Sequence, residues 1–185
     1  YKVYGLVRRV ALEDETHRLW RIKHLINKIK LRSASLESYA SIVKIIQEIK
    51  PDEIYHLGAQ SYVAYSFEDE FSTLNTNING THYLLSAIKE FSPKTKFYFA
   101  GSSEMFGNVK SFPQNENTPF NPRSAYGIAK VAGENVLKVL ADLNVIDLVK
   151  IDCEGAEYEF LFNSDLELRA SGTGRVLILV RVRVL

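Results

Sequence analysis

The chain has one cysteine, Cys153, so no internal disulfide can form; the scarcity fits a reducing compartment, with the cytoplasm as the expected location. No apolar run approaches the ~18 residues of a membrane span, so no membrane partner is expected. The opening Tyr1-Lys2-Val3-Tyr4 is not a signal peptide and reads like the inside of a strand without an initiator methionine. The chain is therefore expected to begin mid-fold. Lys and Arg total 23 against 22 Asp and Glu, a net charge of +1 with no basic block, which argues against a nucleic-acid binder. His17, His24, His56 and His82 lack metal-ligand spacing and read as core or surface residues, so no metal is expected. A glycine-rich phosphate loop is also missing: neither a strand before nor a helix after frames Gly172-Thr173-Gly174, which reads as a turn.

What is present suits one soluble core: 185 residues, 46% apolar and 24% charged. Residues 2–7 read as a strand stopped by Arg8-Arg9. Leu19, Ile22, Leu25, Ile26 and Ile29 give residues 14–30 helical spacing, and Ile42, Ile45, Ile46 and Ile49 mark a second amphipathic helix ended by Pro51. Residues 53–57 form a short strand, 69–91 a long helix with Leu84, Leu85 and Ile88 inward, and 96–100 another strand. The proline- and asparagine-containing stretch 108–123 reads as loop, followed by a helix from Ser124 to Asp142. Residues 147–152 are a further strand candidate, and Val176 to Leu185, with Arg181 and Arg183, suits an edge strand. Strands alternating with such helices predict an α/β fold with parallel pairing and right-handed crossovers. In such sheets ligands sit beyond the carboxyl ends of the strands. Arg8-Arg9, Gly58 to Ser61 and Gly101 to Glu104 all fall at such ends.

The chemistry concentrates in Ala100-Gly101-Ser102-Ser103-Glu104-Met105-Phe106-Gly107 and in Tyr126-Gly127-Ile128-Ala129-Lys130. Tyr126 and Lys130, four apart on a helix, share a face. A free phenol, with a pKa near ~10, is a poor base, and a nearby ammonium favours its ionised form. Tyr126 can then take the proton of a substrate hydroxyl while hydride leaves the same carbon. An isolated Tyr-x-x-x-Lys is more often mere surface packing; the strand and Ser102 upstream change that weighting. Ser102 is placed to hold the reacting oxygen, or else satisfies a strand-to-loop turn. Glu104, just past a strand end, is placed to abstract a proton alpha to a new ketone, or else is a solvated loop carboxylate. Arg8 and Arg9, with no acid beside them, point to the 2′-phosphate of NADP rather than NAD, or else form a solvated basic loop. Leu57-Gly58-Ala59-Gln60-Ser61 places small residues where a backbone must approach a cofactor.

Together these residues resemble the extended short-chain dehydrogenase/reductase family, in its GDP-mannose 4,6-dehydratase branch. The matching segments are Gly5 to Arg9, Ile45 to Ser61, Asn79-Gly80-Thr81, Phe97 to Gly107 and Thr118 to Lys130, in family order over roughly residues 1–137. Within the superfamily, epimerases usually have a small residue where Glu104 stands, and dehydratases of thymidine-linked glucose an Asp-Glu pair; hydroxyl-Ser-Glu is similar to the GDP-mannose type. The resemblance implies oxidation at sugar C4 by NADP, with Tyr126 as base, Lys130 as its partner and Ser102 as positioner. It implies further that Glu104 removes the C5 proton, water leaves C6 and hydride returns at C6. GDP-mannose or a related nucleotide sugar is the implied substrate, and a homo-oligomer the implied state of the parent enzyme.

The chain departs from that pattern in several places. The first strand and Gly-rich turn, expected just before Tyr1, are absent, which makes the fold a partial Rossmann-type three-layer sheet. Ser33-Ala34-Ser35-Leu36 stands where Gly-Asp-Leu is common, and Phe106 where tyrosine is frequent. Past residue 137 the resemblance stops, dividing the chain into a truncated NADP-binding unit, 1–137, and a divergent segment, 138–185. Within the latter, Val145 to Glu159 resembles a signature of FkbM-type SAM-dependent methyltransferases. The expectation is a fragment or gene junction with little activity alone; a methyltransferase remnant, another nucleotide-sugar epimerase or dehydratase, and a non-catalytic association module are the alternatives.

Overall fold

The structure, a computed structural model, describes residues 1–13, 15–109, 114, 117–140 and 175–179. A five-stranded, all-parallel sheet runs in the order β2-β1-β5-β3-β4, with β1 at Lys2–Val7, β2 at Lys30–Ser33, β3 at Glu53–His56, β4 at Lys96–Phe99 and β5 at Arg175–Leu179. Side chains alternate across such a ribbon. Tyr4 and Leu6 of β1, Ile54 of β3, and Phe97 and Phe99 of β4 bury one face in the main core. Val7 joins a smaller cluster with Ala11, Leu19 and Ile22, packed by Leu31 of β2, on the other side.

Helices α3 (Tyr39–Ile49), α6 (Gly80–Phe91) and α7 (Ala125–Leu140) cover the main face. α3 forms because Ile42, Ile45, Ile46 and Ile49 recur on one stripe, all buried. Ser38 caps its start by accepting from the Ser41 N–H. Its end is a left-handed Lys50 (φ 44°), after which Pro51 cannot continue the helix. The long helix expected over 69–91 is present in three joined pieces: α5 (Glu70–Leu74, after the short α4, Tyr65–Glu68), a π-helical turn at Asn75–Asn79, and α6. Leu84, Leu85 and Ile88 point inward as their spacing requires. Gly80 lets this helix meet α3's leading loop, since a Cβ there would stand 2.9 Å from Leu36 Cβ.

Two expectations are corrected. Residues 14–30 are not one amphipathic helix: they hold α2 (Glu15–Arg18) after α1 (Arg9–Glu13), then a 3-10 segment at Trp20–Leu25, and β2 begins at Lys30. Leu19, Ile22 and Leu25 recur every three residues, the period of a 3-10 turn, and Ile22 N–H bonds Leu19 C=O at 3.0 Å. Nor does the 176–185 stretch start as an edge strand. β5 pairs on both sides, Lys2 to Leu6 of β1 meeting 175–179 and Glu53 to His56 of β3 meeting 176–179. It sits at the centre of the sheet, beside β1, where the first strand was expected to be absent. The strand candidate at 147–152, the methyltransferase-like segment and Arg181 and Arg183 lie outside the described residues.

Candidate active site

The carboxyl ends of the parallel strands converge at one edge of the sheet, and that edge collects the residues singled out above. β1 ends into Arg8 and Arg9, both exposed; Arg9 Nε pairs with Glu13 Oε1 at 3.1 Å across one helical turn. An acid therefore does accompany this arginine pair, four residues on. β3 ends into Leu57–Ser61, and β4 into Gly101–Glu104. Leu179 of β5 lies level with Leu6 and His56 in this row.

The loop after β3 is held by side chains rather than by strand pairing. Asn77, in the π-helical turn, clamps the Gln60 peptide from both sides: Gln60 N–H donates to Asn77 Oδ1 at 2.7 Å, and Asn77 Nδ2 donates to Gln60 C=O at 2.9 Å. Gln60 in turn folds over the loop, its Oε1 accepting from Tyr62 N–H at 2.7 Å. Ala59 is buried and Gly58 and Ser61 are half-buried. The extra residue that a π turn inserts rotates its neighbours on the helix, which is how Asn77 faces the loop. Sequence reasoning passed over Asn77, an unremarkable polar residue inside a helix; the clue is its burial to 4% exposure.

The second cluster forms where α7 docks on the end of β4. Ser124 sits at the start of α7 and accepts from Gly127 N–H at 3.0 Å, and its hydroxyl reaches Glu104 Oε2 at 3.4 Å. One buried serine thus caps the tyrosine helix and tethers the glutamate, a role nothing in the local sequence announced. Gly127 makes the docking possible: a Cβ there would stand 2.5 Å from Glu104 C=O and 3.1 Å from Pro122 Cβ. Ser102 caps the short 3-10 turn Ser103–Met105 by accepting from Glu104 N–H at 3.3 Å, and is itself nearly buried. Gly107, at φ +48°, lies against Asn121, where any side chain would collide with the backbone.

Lys130 and Tyr126 complete the cluster, at 4% and 8% exposure. The Lys130 ammonium donates to Ala100 C=O at 2.7 Å, and lies 5.7 Å from the Tyr126 ring centre and 5.0 Å from that of Phe99. A buried cation needs such compensation: one strong acceptor and two aromatic faces. His56 is close by, wedged against Phe97 and Phe99. Burial drives its pKa down to about 3, with the Lys130 charge adding to the effect, so its imidazole is neutral. The other three histidines are exposed, and no cluster of metal-ligating side chains occurs among the described residues. No helix among them is long and apolar enough to cross a membrane.

The strand edge therefore carries cations at one end, a pinned loop of small residues in the middle, and a hydroxyl, a carboxylate, a phenol and an ammonium at the other. A family model described as GDP-mannose 4,6 dehydratase matches residues 1–151. A GDP-mannose 4,6-dehydratase of Vibrio cholerae is 40% identical over 140 residues, 71% of this chain and 36% of that protein. The corresponding enzyme of Homo sapiens is 42% identical over 141 residues, 71% of this chain and 37% of its own length. The chain thus spans little more than a third of these relatives. Among solved structures, UDP-glucose 4-epimerase of Thermotoga maritima with UDP-glucose superimposes at a TM-score of 0.66, with 22% identity over 81% of this chain and 55% of that one. RMD from Pseudomonas aeruginosa complexed with NADPH gives 0.61 and 23% over 81% and 52%. At such identities the shared feature is the fold.

Proposed function

The chain belongs to the GDP-mannose 4,6-dehydratase family, and from that premise we propose that it carries the cofactor edge and the acid–base cluster of an NADP-dependent nucleotide-sugar 4,6-dehydratase. The observation that carries the reading is the docking of α7 on β4, which gathers Ser102, Glu104, Tyr126 and Lys130 at one strand end. The donor set fits a nicotinamide dinucleotide: Arg8 and Arg9 for the 2′-phosphate, the pinned backbone of Leu57–Ser61 alongside, and Tyr126 and Lys130 at the reacting end. When bound, that group supplies reversible hydride acceptance.

Tyr126 then takes the proton from the sugar's 4-hydroxyl, its phenolate favoured by the ammonium below its ring. Lys130 is kept from drifting by Ala100 C=O. Ser102 holds the reacting oxygen. Glu104, steadied by Ser124, removes the C5 proton made acidic by the C4 ketone, and delivers a proton to the departing C6 hydroxyl as water. Were the bound group to return its hydride to C6, C5 would regain one proton, matched by the one Tyr126 took from the 4-hydroxyl, so that the sum is the loss of one water. An epimerase needs no carboxylate at this position, so Glu104 favours dehydration. GDP-mannose is the proposed substrate, and the cytoplasm the proposed location. Exposed Phe67, Phe71 and Ile128, on the mutually packed α4, α5 and α7, support a homo-oligomer. In that case Phe71→Glu lowers the sedimentation coefficient of the wild-type assembly.

The test is a chimera in which residues 1–140 of this chain replace the aligned part of the human relative. It binds NADPH more tightly than NADH and dehydrates GDP-mannose; Glu104→Gln abolishes turnover while sparing cofactor binding. A chimera that binds NADPH yet makes no product, or a Glu104→Gln form as active as its parent, overturns the reading.

A further inference from the structure

Between the loop after β3 and Lys130 runs a series of hydrogen bonds, joined through the covalent frames of Asn77, His56 and Ala100, that no step above requires. It begins at the Gln60 peptide, clamped by the Asn77 side chain. The Asn77 carbonyl accepts the Thr81 hydroxyl at 2.8 Å, one helical turn on. Thr81 Oγ1 lies 3.1 Å from His56 Nε2. The His56 carbonyl accepts Ala100 N–H at 3.3 Å, the last rung between the ends of β3 and β4. The Ala100 carbonyl accepts Lys130 Nζ at 2.7 Å.

The proton on each link is assigned from the donor and acceptor capacities of its two ends. Thr81 has one hydroxyl proton, and it is given to Asn77 C=O. With that proton so used, Thr81 Oγ1 accepts from His56, and the matching tautomer carries its proton on Nε2. His56 Nδ1 then carries a lone pair and, among the described residues, has no hydrogen-bond partner. A bare lone pair in this apolar setting is tolerable, whereas a second ring proton would be buried without an acceptor on a ring that already feels the Lys130 charge. The imidazole is a one-way link: it donates to Thr81 and offers nothing else. Every member is buried or half-buried, so water does not readily substitute for a broken bond.

We propose that Thr81 and His56 are positioning residues that couple the loop Leu57–Ser61 to the Lys130 ammonium, so that the placement of one depends on the placement of the other. The proposal rests on the reading of that loop as a cofactor contact. Neither residue touches the reacting atoms; they act through Gln60 on one side and Ala100 on the other.

The test uses the full chain with Thr81→Val, which keeps the shape and removes the hydroxyl, and Thr81→Ser, which keeps the hydroxyl and removes the methyl. Two signals are read: the 15N resonance of the Lys130 ammonium without ligand, assigned through Lys130→Arg, and the NADPH affinity by fluorescence titration. Thr81→Val is expected to shift and broaden the ammonium signal and to weaken NADPH binding by roughly threefold to tenfold. Thr81→Ser is expected to leave both near wild type, whereas a packing role would make it the worse variant. If Thr81→Val fails to fold, Asn77→Asp breaks the loop end by replacing the donor to Gln60 C=O, with the same two changes expected. If NADPH binds and the hydroxyl-deleting or Asn77 variant moves neither signal, or if Thr81→Ser behaves like Thr81→Val, the coupling is overturned. If no form binds NADPH but the ammonium signal still follows the hydroxyl, the coupling stands, and the chimera with the human relative decides the cofactor reading.

Discussion

Lowering the pH from 7.5 to 5 should destabilise this fold through His56. The ordinary imidazole pKa of about 6.5 applies to the unfolded chain, and burial lowers the folded value to about 3. The sign follows from which state binds the proton. A group depressed on folding lends its full stability above the unfolded pKa and loses it as pH falls towards the folded one. Across pH 7.5 to 5 the unfolded chain gains about one proton at His56 that the folded chain refuses, which costs about 2 kcal/mol. His56 is fully buried, so no solvent screening reduces the figure. The measurement is urea unfolding of the wild type and His56→Asn at both pH values. Carboxylates titrate alike in both, so the difference of differences isolates the imidazole. The wild type should lose about 2 kcal/mol more than the variant over this range; parallel losses would refute the argument that His56 is held neutral by burial.

Gly127→Ala should drive α7 away from Glu104 C=O and cost about 1–3 kcal/mol, read as a lowered Tm, with loss of NADPH binding if Tyr126 and Lys130 move together. Gly107→Ala should be destabilising for a different reason, the positive φ added to a collision with Asn121, and Gly107→Asn should not rescue it because the collision remains. Ile46→Ala, at a fully buried site of α3, should cost about 2–5 kcal/mol in denaturant unfolding. Leu177→Pro should unfold the sheet or sharply lower its Tm, since a central strand cannot spare an N–H; near-wild-type stability would return β5 to an edge.

Much of the candidate site was legible because its chemistry is local. Tyr126 and Lys130 share a helical turn, Ser102 and Glu104 a single loop, and strand ends announce themselves by the polar residues that stop them. The helices α3 and α6 were legible from their isoleucine and leucine stripes. The parts that escaped depend on approach from a distance. Asn77 and Ser124 look like ordinary polar residues until the π turn and the Gly127 contact bring them against Gln60 and Glu104. β2, Lys-Leu-Arg-Ser, has one apolar side chain and no alternation to betray it. The 14–30 segment misled because spacings of three and four fit an α-helix and a 3-10 turn nearly alike. β5 misled because a strand's rank in a sheet is decided by its neighbours, which lie far away along the chain.

The position of β5 bears on how the molecule assembles in time. β1 with β2 and β3 with β4 are parallel pairs joined by local crossovers, and each can form early. Among the described residues their strands pair with one another only through 175–179, with Lys2 matched to Arg175. Closing so long a loop is entropically slow, although its cost grows only with the logarithm of length. Until it closes, β1 and β3 each expose a bare edge, the kind that recruits strands from other molecules. During synthesis the two half-sheets therefore wait, open-edged, for the strand that joins them.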